Sequence, residues 1–308
     1  MSQPSFQKSF TSTYRSGTYA SISPTRPEVS AKSRTIVITA GHTGIGFAIA
    51  CSFAAAGASN IIIVGRRETV LRAAVQKLSV KHPGTNLHYF AVSITAEDQV
   101  EQMFASIRRN MAEPDILITS AAYFASGATG AASVASTPLK EMTASFETNV
   151  VGNLSIVQAF LGRATQDHIE KTIIDVSTCT VHLYLPQAAG AYSASKLAFT
   201  KLLMVLHDEA RTAGQKLRVH SFHPGAVFTE AVADAGHRAD VFPFDDIELP
   251  GHFAVWLASP EAEFLAGRFV WANWDIGELI ERKEDILRQN LLRLGLVGKA
   301  EWDTKLFV

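Results

Sequence analysis

From residue 34 onward, β-branched runs and helix-period stretches take turns along this chain, and that alternation constrains its fold more than any other feature. Residues 34–39 form a run, Arg34-Thr35-Ile36-Val37-Ile38-Thr39, that stops at Gly41; a helical pattern follows Gly46 and reaches Gly57; Asn60-Ile61-Ile62-Ile63-Val64 is the next strand. Further strands are expected at 87–92, 115–119, 172–176, 217–222 and 268–271, with helices at 96–110, 139–163, 191–212 and 252–259. Strict β/α alternation predicts an α/β fold with a parallel sheet, covered by helices on both faces, whose ligands lie at the carboxyl ends of the strands.

The first turn reads Thr39-Ala40-Gly41-His42-Thr43-Gly44-Ile45-Gly46. Glycines there let the backbone approach a phosphate, and the helix behind them points free amides and its positive dipole end at the anion. With the second strand in place the unit is strand, glycine turn, helix, strand, the context a dinucleotide site requires. The fold is therefore read as a doubly wound Rossmann sheet of about seven strands. At the end of the second strand a site for NAD would carry an acid, whereas Gly65-Arg66-Arg67 offers two guanidiniums. Cations are poorly placed at a helix start unless an anion is near, so Arg66 and Arg67 point to the extra phosphate of NADP(H).

The chain has 308 residues, 47% hydrophobic, with a net charge of −1. Lys and Arg are scattered, which argues against nucleic acid and for a small-molecule substrate. No stretch of ~18 apolar residues supports a membrane span. The two cysteines, Cys51 and Cys179, fit a reducing compartment, and a cytoplasmic protein is expected. His42, His182 and His223 have no metal-ligand spacing, and no metal is expected. Residues 1–33, rich in Ser, Thr and Tyr, read as an N-terminal arm outside the core, and 34–308 as one domain. From about 276 a helical tail with Leu279, Ile280, Ile286, Leu287, Leu291 and Leu294 is expected to pack on the body or on a second subunit.

Tyr192 and Lys196, four positions apart, share a helix face, which brings an ammonium near a phenol. A nearby cation stabilises phenolate, so the pair suits an acid–base tyrosine.

Together these residues resemble the short-chain dehydrogenase/reductase family over about residues 34–279. Two stretches, Ile22-Ser23-Pro24-Thr25-Arg26-Pro27-Glu28 and Gly267-Arg268-Phe269-Val270-Trp271-Ala272-Asn273-Trp274-Asp275, are similar to a subgroup common in filamentous fungi. Asn149-Val150-Val151-Gly152 falls at the family's active-site asparagine, Val176-Ser177-Thr178 at its substrate-binding hydroxyl, and Tyr192 and Lys196 on its catalytic pair. Pro224-Gly225-Ala226-Val227-Phe228-Thr229 falls on the segment holding the nicotinamide, which assigns Pro224, Gly225, Val227 and Thr229 to the cofactor with Thr39, Gly41, His42, Thr43, Gly44, Ile45, Gly46, Arg66, Arg67, Ser93 and Ala121. The pattern departs from the family at Ala40, at Ser93 in place of an adenine-side aspartate, and at Thr119-Ser120-Ala121-Ala122. Register favours Thr178 over Ser177 as the hydroxyl.

The resemblance implies ketone reduction by NADPH, or the reverse. Tyr192 would donate the proton; Lys196 would lower the phenol pKa, bind the nicotinamide ribose and link to a water held by Asn149; Thr178 would stabilise the developing alkoxide. A lyase, isomerase or cyclase with vestigial redox activity and a cofactor-binding regulator are the alternatives. Residues 121–136 and 230–250, with Phe242, Phe244 and Phe253, suggest a large apolar substrate. Apolar residues lie on more than one face of 139–163 and 191–212, among them Phe146, Val150, Leu154, Phe199, Leu203 and Leu206, and the resemblance implies that these two helices pair across a two-fold axis in a homodimer or homotetramer.

Overall fold

The computed structural model describes residues 9–124, 134–162, 170–183, 190–234, 238–240 and 242–296. Its strands are β1 (Thr35–Thr39), β2 (Asn60–Gly65), β3 (Asn86–Ala91), β4 (Ile116–Thr119), β5 (Lys171–Val176), β6 (Leu217–His223) and β7 (Arg268–Trp271). The helices are α1 (Gly44–Ala55), α2 (Glu68–Lys81), α3 (Glu97–Asn110), α4 (Leu139–Phe146), α5 (Asn153–Leu161), α6 (Gly190–Thr212), α7 (Glu230–Asp234), α8 (Glu248–Ala258), α9 (Ile276–Glu281) and α10 (Lys283–Arg288). Among the described residues the strands form one seven-stranded parallel sheet in the order β3-β2-β1-β4-β5-β6-β7. Strand order reverses between β1 and β4, and a crevice opens at the carboxyl ends at such a point.

Period-two side-chain alternation explains why these strands are apolar throughout. Ile36, Ile38, Ile61 and Ile63 enter the core on one face, under α1, α2 and α8, while Val37, Ile62, Val64 and Leu117 enter the other, under α3, α5 and α6. A sheet covered on both sides has no face left for polar residues. The expected helix 139–163 is α4 and α5 joined through a π-helical turn, Glu147–Gly152, which carries Asn149. Residues 125–133 of the Ala- and Gly-rich run lie outside the described residues, as does Arg163.

The N-terminal segment corrects the expectation of an arm outside the core. Ile22, Val29 and Ala31 are buried in the same core cluster as β1 and α8. Arg15 donates to Asp275 at 3.0 and 2.7 Å, Arg15 and Asn273 exchange hydrogen bonds, and Arg26 donates to Glu261 at 3.2 and 2.6 Å. Only short 3-10 turns form there, so the segment has no periodicity to mark its buried residues. Residues of the N-terminal segment thus pack on both α8 and the stretch that follows β7. Leu279 and Ile286 of the tail are buried in the body, but the helix stops at Arg288, and Leu291 and Leu294 are not helical.

Phe199 and Leu203, read as surplus apolar residues, point into the core; the exposed ones are Leu139, Val151, Leu197, Leu202 and Val205. Among the described residues no helix is long and apolar enough to cross a membrane.

Candidate active site

Thr39 ends β1 at the point where strand order reverses. Its hydroxyl accepts from the amides of Ser120 and Ala121, both at 2.9 Å, and so ties the end of β1 to the loop after β4. Thr39 is fully buried and shapes the cradle through these bonds.

Beyond it the chain turns through Ala40 (φ 51°), a left-handed conformation that costs a non-glycine residue about 1–2 kcal/mol. A Cβ on Gly46 would lie 2.5 Å from the Ala40 carbonyl oxygen, so only glycine lets α1 start this close to the turn. Neither an acidic residue nor a capping side chain occupies the first turn of α1, and its leading amides remain available to an anion. Gly44 packs against Thr229, which brings the segment after β6 to the lip of the cradle. That segment is braced by a residue the sequence reading missed: the buried Asp245 carboxylate accepts from the Ala226 amide at 2.7 Å, and Asp245 bridges Val227.

His42 lies over Gly65, where an added Cβ would fall 2.8 Å from Nδ1. Burial, then the fields of Arg67 and Arg66, push its pKa below the ordinary value, and its buried Nδ1 has no partner among the described residues. Arg66 and Arg67 are exposed, and among the described residues no carboxylate pairs with either. The next acid, Glu68, is engaged by Arg72 at 2.8 Å and by the Tyr89 hydroxyl at 3.2 Å. A histidine and two arginines beside an amide-lined turn fit a phosphorylated dinucleotide. Beyond β3, the Ser93 hydroxyl is paired with that of Thr95 at 2.9 Å.

Asn149 is buried with its amide committed. Oδ1 accepts from the Tyr123 amide at 2.6 Å; Nδ2 donates to the Tyr123 carbonyl at 3.0 Å and to Ser195 Oγ at 2.9 Å, and Ser195 donates to the Tyr192 carbonyl at 2.8 Å. The asparagine therefore fastens the loop after β4 to the first turn of α6, so neither amide hydrogen is left to hold the water that the resemblance implies. Ser177 and Thr178 separate clearly: Ser177 is buried against the Thr200 hydroxyl at 2.8 Å, whereas Thr178 is half-buried at the end of β5 and caps the turn Cys179–Val181.

Tyr192 packs edge-on against Phe124, with centroids 4.9 Å apart. Burial pushes its pKa above the ordinary phenol value, with Asp175 and then Cys179 adding to the rise. The expected lowering by Lys196 is absent because the ammonium donates to Asp175 Oδ1 at 3.1 Å, both side chains being buried. Thr119 also donates to Asp175, at 3.2 Å. Asp175 was missed because it sits inside an apolar strand run, where a lone acid reads as an interruption. Burial raises the Cys179 thiol as well, which makes it a poor nucleophile.

Two of the three phenylalanines expected beside a substrate lie together. Phe228, Phe244 and Phe242 pack in series beside the segment that follows β6. Phe253 instead lies in the core against Phe222 and Trp256. Tyr14, on the N-terminal segment, has its pKa pushed up to about 12 by burial and then by Asp245 and Cys179, which sets it beside this end of the sheet. Among the described residues no cluster of His, Cys, Asp and Glu could hold a metal.

Residues 34–240 match the family model for short chain dehydrogenase. A short chain dehydrogenase/reductase of Claviceps purpurea is 36% identical over 293 residues, covering 93% of this chain and 94% of the relative. The short chain dehydrogenase/reductase AacuD of Aspergillus aculeatus is 37% identical over 288 residues, covering 93% and 96%. Among solved structures, a short chain dehydrogenase from Salmonella enterica superposes with a TM-score of 0.70 at 21% identity, over 80% of this chain and 98% of that one. The L-sorbose reductase of Gluconobacter frateurii, solved with NADPH and L-sorbose, gives a TM-score of 0.67 at 21% identity, over 79% and 96%. At that identity the structural likeness is one of fold.

Proposed function

The chain belongs to the short-chain dehydrogenase/reductase family of oxidoreductases, and from that premise we propose that it is an NADP(H)-dependent ketoreductase, moving a hydride between the nicotinamide and a ketone or secondary alcohol of an apolar, secondary-metabolite-like substrate. The observation that carries this reading is Tyr192, packed against Phe124 at the carboxyl end of the sheet and held protonated by its raised pKa.

A general acid must keep its proton until the oxygen needs it. In the reductive direction the Tyr192 hydroxyl donates to the carbonyl oxygen as negative charge develops there, and the half-buried Thr178 hydroxyl donates a second hydrogen bond to the same oxygen. Lys196, anchored by Asp175 one helical turn beyond Tyr192, would bind the nicotinamide ribose, and Asn149 fixes the start of α6 so that Tyr192 keeps its position. The bound dinucleotide supplies the hydride.

The pyrophosphate would rest on the turn from Gly41 through His42, Thr43, Gly44 and Ile45 to Gly46. Arg66 and Arg67 would grip the 2′-phosphate, Ser93 and Ala121 border the adenosine, and Pro224, Gly225, Val227 and Thr229 hold the nicotinamide end. Aromatic lining from Phe124, Phe242 and Phe244 supports an apolar substrate. The exposed Val151, Leu197, Leu202 and Val205 form the face through which a homodimer or homotetramer would assemble.

Titration with NADPH, followed by loss of reduced-nicotinamide absorbance over a panel of ketones, tests the reading. Tyr192→Phe should bind NADPH within about twofold of wild type while ketone reduction drops at least about a hundredfold. Undiminished turnover in that variant removes the tyrosine from the reaction. A wild-type protein that binds NADPH and reduces no ketone moves the assignment to a lyase, isomerase or binding role.

A further inference from the structure

At the amino ends of β6 and β7 lies a cleft of about 1200 Å³. β6 spans seven residues, so this end is roughly 20 Å from the catalytic end of the sheet. Five cationic side chains line it, Arg211, Lys216, Arg218, Arg268 and Arg293, against three carboxylates, an excess of two positive charges.

Two of those cations are balanced: Arg218 pairs with Glu170 at 2.9 Å and Arg293 with Asp208. Arg268 is not. It is 7% exposed and, among the described residues, its buried Nε has no partner and the rest of its guanidinium reaches only Ala266 O at 3.3 Å, Ile286 O at 3.4 Å and Asn290 Oδ1 at 3.5 Å. Bonds that long sit at the edge of the hydrogen-bonding range and recover little of the cost of taking a cation out of water. Arg218 Nε is likewise buried without a partner. Burial, then the field of Arg293, pushes the Arg268 pKa down, as expected of a cation without a counter-ion.

A planar guanidinium short of acceptors is suited to bidentate binding of phosphate or carboxylate. We propose that this cleft is a second ligand site, remote from the catalytic end, that binds a dianionic small molecule carrying a phosphate or two carboxylates, with Arg268 at its floor and Arg211 and Lys216 at its rim. The charge of two matches the excess of cations, and the exposed rim residues give the ligand an entry path.

Thermal unfolding of the full chain with inorganic phosphate or with succinate as probe, against chloride at constant ionic strength, tests this. The wild type should show a saturable rise in Tm with at least one probe, and the more effective of the two identifies the headgroup. Arg268→Gln should weaken half-saturation at least tenfold, while the double variant Arg66→Ala/Arg67→Ala, altered at the cofactor end, should respond as wild type does. If Arg268→Gln does not fold, the exposed pair Arg211→Gln/Lys216→Gln should still raise half-saturation severalfold. A wild type with no saturable rise for either probe overturns the site, as does an undiminished response in Arg268→Gln or in the rim pair. A response lost in the Arg66/Arg67 variant places the anion at the cofactor end and also overturns it.

Discussion

Lys196 Nζ donates to Asp175 Oδ1 at 3.1 Å, and the two form a buried ion pair that joins α6 to β5 directly beneath Tyr192. The pair holds the lysine in place and sets a negative field under the phenol. Asp175→Asn keeps the shape and removes the charge. Since the carboxylate disfavours phenolate, its loss should move the alkaline limb of reductive kcat/KM to lower pH. In wild type that limb should lie above the ordinary tyrosine value of about 10. Leaving a buried ammonium without its counter-charge should also cost about 3 kcal/mol of stability. Measuring both separates the roles: a folded variant with an unmoved limb would confine Asp175 to structure.

On the proposed reading, cofactor choice would rest on Arg66 and Arg67, since Glu68 is already committed to Arg72 and Tyr89. Arg66→Asp should weaken NADPH ten- to hundredfold in Kd, about 1.4 to 3 kcal/mol after allowance for an open site, and leave NADH nearly unchanged. Fluorescence titration with both dinucleotides reads this out. Equal binding of the two by wild type would sink the assignment.

The N-terminal segment should contribute to stability through Arg15 and Asp275. Arg15→Ala removes two charge-assisted bonds to a side chain that also caps α9 through the amides of Gly277 and Glu278. With the arginine 37% exposed, the loss is expected at about 1 kcal/mol. Asp275→Ala, which also removes the cap, should lose about 1 kcal/mol more. Urea midpoints of the two variants should fall in that order.

Acid sensitivity should begin near neutrality. Burial pushes His220 and His223 down to about 3, well below an unfolded value near 6.5. Below pH 6.5 the unfolded chain takes up protons that the folded one refuses, so each histidine's contribution is complete above 6.5 and is lost as pH falls toward 3. Between pH 6.5 and 5 that is up to about 2 kcal/mol per histidine. Urea midpoints should drop over that interval, and His220→Leu should make the drop shallower; an equal slope in the variant would assign the sensitivity elsewhere.

Local physics put the sheet, the glycine turn, the arginines after β2 and the tyrosine–lysine spacing within reach of the sequence. Strand alternation, the need for glycine at a close backbone approach and the helical period each act over a few residues, so they leave a mark in a few residues. Ile61, Ile62 and Ile63 announce a strand buried on both faces wherever the strand ends up in the sheet.

Only the tertiary structure decided what those groups touch. Asp175 and Lys196 are 21 positions apart, Asn149 and Ser195 are 46, and Arg15 and Asp275 are 260. Each of these contacts depends on which strands and helices become neighbours, and no local pattern encodes that. The lysine pairs with a carboxylate instead of lowering the phenol pKa, the Thr39 hydroxyl ties β1 to the loop after β4, and Phe253 enters the core. Burial controls all three, since it sets the cost of a charge and the reach of a hydroxyl, and it is a property of the assembled chain.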